Sequence, residues 1–173
     1  VPLNNVRPTS IKKRESIFSV LESYGLKNNI NIYNKKNIFD LFAGTGALGL
    51  EAISRGASFT YFYENNNNVI YFLKKNCQKI CRSNQFEIKK ENIISSKFNN
   101  VDKKISLIFI DPPYEINPFE KLFDNIYQSK ILSKDAIIVL ECSTKLKVKI
   151  PSFFSCFNEK NYGKTKIHFF VNN

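Results

Sequence analysis

Methionine and tryptophan are absent from this sequence, histidine occurs once, and 15 acidic residues face 26 Lys and Arg. Without a Met, Val1 is not an ordinary start, so the chain is expected to be trimmed or to be a fragment. Cys77, Cys81, Cys142 and Cys156 form no CxxC pair and have only His168 to join them, so no metal is expected. Cys77 and Cys81 lie four apart on a predicted helix and read as packed thiols rather than ligands. No apolar run approaches the roughly 18 residues of a membrane span, and no basic-then-apolar leader opens the chain. Reduced thiols agree with a cytoplasmic location, with a monomer as the default state.

What is present suits one packed domain over residues 1–173, with 43% hydrophobic residues, sixteen Phe and eight Tyr. A chain of this size buries about 70% of its unfolded surface. The net charge of +11 favours a polyanionic partner, because Lys and Arg clusters bind phosphate with release of counterions. The pairs Lys35-Lys36, Lys74-Lys75, Lys89-Lys90 and Lys103-Lys104 are scattered rather than gathered in a stripe. Lys, Asn and Ile are abundant together, as AT-biased coding produces, so charge alone favours nucleic acid only slightly.

Thr9-Ser10 offers a helix cap, and Ile11, Ile17, Phe18, Leu21 and Tyr24 recur at helical spacing until Gly25 stops the pattern. A polar connector from Lys27 to Asn37 leads to a strand at Ile38–Phe42 and a helix from Ala47 to Arg55, with Gly56 at its end. Phe59–Tyr63 is a strand, and Asn65–Asn68 cap a helix reaching about Ile80. Strands follow at Phe86–Ile88, Ser106–Ile110 and Ala136–Glu141. Pro118 suits the first turn of a helix to about Gln128. Phe153–Phe157 and Lys166–Val171 are expected to pair as a hairpin around Asn161-Tyr162-Gly163. The class is α/β, with a mainly parallel sheet and a C-terminal antiparallel hairpin.

Gly44-Thr45-Gly46-Ala47-Leu48-Gly49 matches GxGxxG between a strand and a helix, and Glu64 ends the next strand. The glycines let backbone approach a ligand, the helix start offers free N–H groups, and the acid can accept from ribose hydroxyls. Nicotinamide enzymes and methyltransferases share this arrangement. Asp40, four residues before Gly44, suits a cofactor with a cationic amino group, and nothing downstream resembles a hydride-transfer site. The cofactor segment is therefore Asp40 with Phe42-Ala43-Gly44-Thr45-Gly46, and the cofactor S-adenosylmethionine. Glu91-Asn92, after the third strand, either reads the adenine amine or is an ordinary loop.

Asp111-Pro112-Pro113-Tyr114 ends a buried strand, placing a carboxylate at the C-terminal edge of the sheet. The two prolines stiffen the turn and fix its carbonyls. An amine presents two hydrogens, one for the Asp111 carboxylate and one for the Pro112 carbonyl, which aims its lone pair at a sulfonium methyl. Tyr114 offers a face for base stacking, worth about 1–3 kcal/mol in single-strand binders.

With these residues the chain resembles the RsmD family, bacterial small-subunit ribosomal RNA guanine-N2 methyltransferases. The resemblance rests on Arg7-Pro8-Thr9 with Arg14-Glu15 and Phe18, on Asp40 through Ala52, on Ser54-Arg55-Gly56-Ala57, and on Asp111-Pro112-Pro113-Tyr114. It implies a Rossmann-like class I methyltransferase with a seven-strand sheet. S-adenosylmethionine would be the donor, S-adenosylhomocysteine the product, and the 30S subunit, an assembly intermediate or its RNA the substrate. Residues 1–25 would form a substrate- or cofactor-side helix in which Arg7, Thr9 and Arg14 touch RNA phosphates or the cofactor carboxylate; Arg14 and Glu15 otherwise read as an exposed helix pair. Two features depart from the family: its N-terminal basic β-hairpin is missing, and Glu91 stands where Asp or Asn is usual.

Three other functions compete. Adenine-N6 DNA methyltransferases also use Asp-Pro-Pro-Tyr, but positions 46 and 111 are only 65 apart, leaving no room between them for a DNA-reading insert. Protein glutamine methylation usually has Asn in place of Asp111. A non-catalytic RNA-binding module with this fold would have no need of Asp40, Glu64 and Asp111 together. A target base in RNA would have to be swung out of its stack to reach Asp111.

Overall fold

The computed structural model describes residues 11–113 and 117–173; Arg7, Thr9, Tyr114 and the Thr9-Ser10 cap lie outside the described residues. The elements run α1 (Ile11–Asn28), β1 (Asn37–Leu41), α2 (Ala47–Ser54), β2 (Phe59–Tyr63), α3 (Asn67–Ile80), β3 (Phe86–Lys89) and β4 (Ile105–Ile110). They continue with α4 (Phe119–Gln128), β5 (Leu132–Ser143), β6 (Phe154–Tyr162) and β7 (Thr165–Asn172). One seven-stranded sheet has the order β3-β2-β1-β4-β5-β7-β6. Pairs among β1 to β5 are parallel, and β7 inserts antiparallel between β5 and β6. The strand order reverses between β1 and β4, the position at which open α/β sheets open a crevice beyond their C-terminal strand ends.

The middle strands are continuously apolar because both of their faces are covered. Ile38, Leu107, Phe109, Ile137 and Val139 pack with Ile17, Phe18 and Leu21 of α1 and with Leu48 and Ala52 of α2. On the other face Phe39, Leu41, Ile108, Ile110 and Leu140 meet Phe119, Leu122, Phe123 and Ile126 of α4. A third cluster, with Leu50, Phe62, Leu73 and Cys77, joins α2 and α3 to β2. The segments 90–104 and 144–153 contain no helix; Ile93 and Phe98 of the first are buried, and Leu146, Val148, Ile150 and Phe153 of the second pack against the same cluster.

Several boundaries differ from the sequence reading. Gly25 does not end α1, which runs three residues further before Asn29 turns left-handed at φ 53. Gly25 instead lets the returning chain pass close by, since a Cβ there would lie 2.7 Å from the Ile30 carbonyl oxygen and 2.8 Å from Ile32 Cγ1. The connector is not wholly polar, as Ile32 and Tyr33 are buried. Strand β1 stops at Leu41 because Phe42 has φ 61. Pro118 precedes α4 as its N-cap rather than standing in the first turn. Strand β5 begins four residues earlier than its apolar run, where Leu132 pairs with Ile105 of β4, and ends two later, where Cys142 and Ser143 pair with β7. The hairpin turn sits at Gly163-Lys164, with Tyr162 paired to Thr165.

Helix α2 lies close to the sheet at Gly49. A Cβ there would stand 2.4 Å from Phe62 Cε1 and 2.9 Å from Asp40 Oδ2. Gly49→Ala is therefore expected to lower the unfolding free energy by about 1–3 kcal/mol, as overpacking does. Urea unfolding followed by circular dichroism measures it; an unchanged midpoint would show that the contact is slack.

Candidate active site

The register of the central strands gathers the expected site at one edge. Leu41 pairs with both Tyr63 and Ile110, so Phe42, Glu64 and Asp111 leave the sheet side by side. The ladder extends a residue further: the Ala43 N–H donates to the Tyr63 carbonyl (2.9 Å), and the Asp111 N–H approaches the Leu41 carbonyl (3.5 Å). Phe42 (φ 61), Gly44 (φ 56) and Gly46 (φ 86) then turn the chain into α2 through three left-handed residues. Phe42 adopts that conformation at a cost of about 1–2 kcal/mol that glycine avoids. Gly46 is further constrained because a Cβ would lie 2.6 Å from Leu73 Cδ1. The Gly46 N–H donates to the Ala43 carbonyl at 2.8 Å, and the Thr45 carbonyl accepts from Asn76 Nδ2 at 3.0 Å.

Gly46 is the N-cap of α2 and has no side chain with which to cap it. Asp40 does this from β1: its Oδ2 accepts the N–H of Gly49 at 2.8 Å, the third helical residue, which a capping side chain would ordinarily serve. Asp40 is 2% exposed. Burial pushes its pKa up to about 8; the Gly49 N–H opposes this, and the charges of Asp111 and Glu64 add to it. Asp40 is therefore uncharged near neutral pH, which relieves its repulsion from the other two carboxylates.

Glu64 lies between the glycine loop and α3. Its Oε2 accepts from the Gly44 N–H at 3.0 Å, and its Oε1 from the Asn65 and Asn66 N–H groups at 2.9 Å each. A carboxylate has further lone pairs for ligand hydroxyls. Glu91 Oε2 accepts from Ser96 Oγ (2.9 Å), and Asn92 Oδ1 accepts from the Ile94 N–H (3.0 Å), shaping the loop after β3. Both residues line a cavity of about 350 Å³ with Tyr63, Ser96 and Phe98. Asp111 is half-buried, Pro112 buried and Pro113 exposed.

Arg14 faces α2. Its Nε is 3.8 Å from Glu51 Oε2 on α2, so its ion-pair partner is Glu51 rather than the adjacent Glu15. Glu51 also holds Arg55, which pairs with Glu22, and this chain of charges straps α1 to α2. The fold also brings together residues that spacing left apart. A bulge between Cys156 and Asn158 turns Cys156 and Glu159 toward His168, with their sulfur, oxygen and nitrogen atoms within 4.8 Å of one another. Glu159 is already shared between His168 Nδ1 and Lys166 Nζ, both at 2.7 Å, and the ammonium occupies the charge a metal ion would need.

Two residues not singled out in the sequence reading also reach this edge. Glu141 closes the apolar run of β5 as Asp111 closes that of β4, and this signal is visible in the sequence. Lys13 of α1 forms a largely buried ion pair with it.

The sheet order and the glycine loop under an acid-ended strand define a class I, Rossmann-like S-adenosylmethionine-dependent methyltransferase fold. The family model described as conserved hypothetical protein 95 matches residues 1–171, and the chain belongs to that family, the RsmD family. Ribosomal RNA small subunit methyltransferase D of Buchnera aphidicola subsp. Acyrthosiphon pisum is 30% identical over 96% of this chain and 83% of its own length. A solved Escherichia coli structure superposes with TM-score 0.82 at 24% identity, covering 99% of this chain and 90% of the other. An RNA methyltransferase from Salinibacter ruber in complex with S-adenosyl-L-homocysteine shares the fold at TM-score 0.69 and 10% identity, covering 96% and 94%. No described helix is long and apolar enough to cross a membrane.

The burial of Asp40 sets a pH dependence. The fold holds it protonated up to about pH 8, whereas its ordinary value is 3.8. Its contribution to stability is therefore full below the unfolded value and is lost as pH rises through the folded one. The unfolding free energy of wild type minus that of Asp40→Asn is expected to decline from about pH 5 to about pH 8. Denaturant titrations across that range check it; a flat difference would mean that Asp40 ionises freely.

Proposed function

We propose that the protein transfers a methyl group from S-adenosylmethionine to the N2 amine of a guanine in small-subunit ribosomal RNA, leaving S-adenosylhomocysteine. The observation that carries this is Asp111-Pro112-Pro113 at the strand-order reversal, one strand away from the glycine loop. Family membership and the relatives named for small-subunit RNA methylation support the substrate class.

The residues present fit the donor. The backbone of Phe42 to Gly46 gives close approach, and the Glu64 carboxylate stands at the glycine loop, where it accepts the Gly44 N–H. S-adenosylmethionine, when bound, supplies an electrophilic methyl group. Glu64 would hold the ribose hydroxyls and Glu91-Asn92 the adenine side. Asp40 acts by fixing the start of α2.

At the acceptor, the Asp111 carboxylate and the Pro112 carbonyl each take one N–H of the amine. That pulls the hydrogens out of the base plane, draws the lone pair from the ring and aligns it. Between β1 and β4 the chain consists of α2, β2, α3, β3 and a 15-residue loop, which supports RNA over a DNA-reading insert.

Incubating the protein with labelled cofactor and 30S particles, free ribosomal RNA or duplex DNA, and then identifying the nucleoside by mass spectrometry, tests the proposal. The expected product is N2-methylguanosine in RNA; label found only as N6-methyladenine in DNA would refute it. Asp111→Ala is expected to abolish transfer while keeping cofactor affinity, measured by calorimetry. Retained transfer would remove Asp111 from its amine-holding role.

A further inference from the structure

We propose that Glu141 reads the target base, accepting the N1–H of guanine with one carboxylate oxygen while Asp111 and Pro112 hold the neighbouring N2 amine. This rests on the guanine-N2 reading of the site and adds a determinant of base choice to it.

Position comes first. Leu140 pairs with Ile110, so Glu141 stands beside Asp111 on the adjacent strand. Leu140 and Ile110 pack toward α4, whereas Val139 and Phe109 pack toward α1. Alternation along each strand therefore turns Glu141 and Asp111 to the same face.

Polar accounting comes second. Glu141 is 6% exposed, its Oε1 is held by Lys13 Nζ, and its Oε2 is buried with no hydrogen-bond partner among the described residues. A buried acceptor without a donor carries a desolvation cost, so native structures seldom leave one unexplained. Tying α1 to β5 requires only Oε1. The second oxygen is left for a donor from outside the chain.

Guanine supplies a donor of the right kind. Its Watson–Crick edge presents N1–H next to the N2 amine, so two adjacent carboxylates face adjacent donors. Adenine presents an N1 lone pair beside its amine, which would meet the Glu141 carboxylate with repulsion. Sites that hydrogen-bond a substrate N–H reject analogues lacking it strongly, because the buried partner is then left unpaired. Lys13 holds the carboxylate in place through Oε1 and makes its orientation independent of the base.

The test uses small-subunit RNA transcripts in which a fraction of guanosines is replaced by 2-aminopurine riboside, which keeps the 2-amine but has an unprotonated N1. Wild type is expected to methylate guanine in preference to 2-aminopurine. In Glu141→Gln, transfer to guanine should fall about 10- to 100-fold, with melting temperature and cofactor affinity near wild type. The preference for guanine should collapse, because the amide can turn its NH₂ toward N1. Lys13→Arg, which keeps a cation on Oε1 while disturbing the packing of α1, should retain the base preference whatever it does to the melting temperature.

Glu141→Gln with wild-type rate and preference would overturn the inference. So would a loss of transfer that only follows a fall in melting temperature or cofactor affinity, with preference intact. If wild type forms no N2-methylguanosine, the parent reading fails as well; if it does and the variant behaves as wild type, only the role of Glu141 is removed.

Discussion

The active edge depends on one buried hydrogen bond, from the Gly49 N–H to Asp40 Oδ2. A helix that begins at a glycine has no side chain to satisfy its first donors, and these carry the positive end of the helix dipole. Asp40 meets one of them from the neighbouring strand, which fixes where α2 starts relative to β1. The left-handed loop between them is held by that bond, by the Gly46 N–H donating to the Ala43 carbonyl and by the Gly44 N–H donating to Glu64. Moving Asp40 or filling Gly49 therefore disturbs the loop geometry.

The same bond sets the electrostatics. A carboxylate taken out of water favours its protonated form, and neighbouring carboxylates strengthen that preference. Asp40 is therefore neutral near pH 7, and a cation brought to this edge would favour its ionised form. Lys13, paired with Glu141, brings a cation from α1 to the β5 side of this edge.

Much of this was legible along the chain. Apolar runs ending in acid marked β1, β2 and β4, and the glycine loop and the Asp-Pro-Pro turn were readable because their chemistry is local. The misread boundaries came from contacts over distance. Gly25 looks like a helix stop until Ile30 and Ile32 pack over it, and β5 outruns its apolar stretch because β4 supplies a partner at one end and β7 at the other. For Arg14 the sequence offers an external anion or the adjacent Glu15, whereas the fold adds Glu51 across a helix interface. Cys156 and His168 look unrelated until a bulge shifts one strand by a residue.

The sequence by itself determined the order of the elements, the glycine loop and the acids that end the strands, because period, propensity and turn chemistry act over a few residues. Only the tertiary structure decided which acid serves which partner. Asp40 and Gly49 meet across a turn, and Asp111 and Glu141 meet across a crossover containing α4. Such neighbours are set by strand order and by which face each side chain takes, and both follow from burying two sides of one sheet at once.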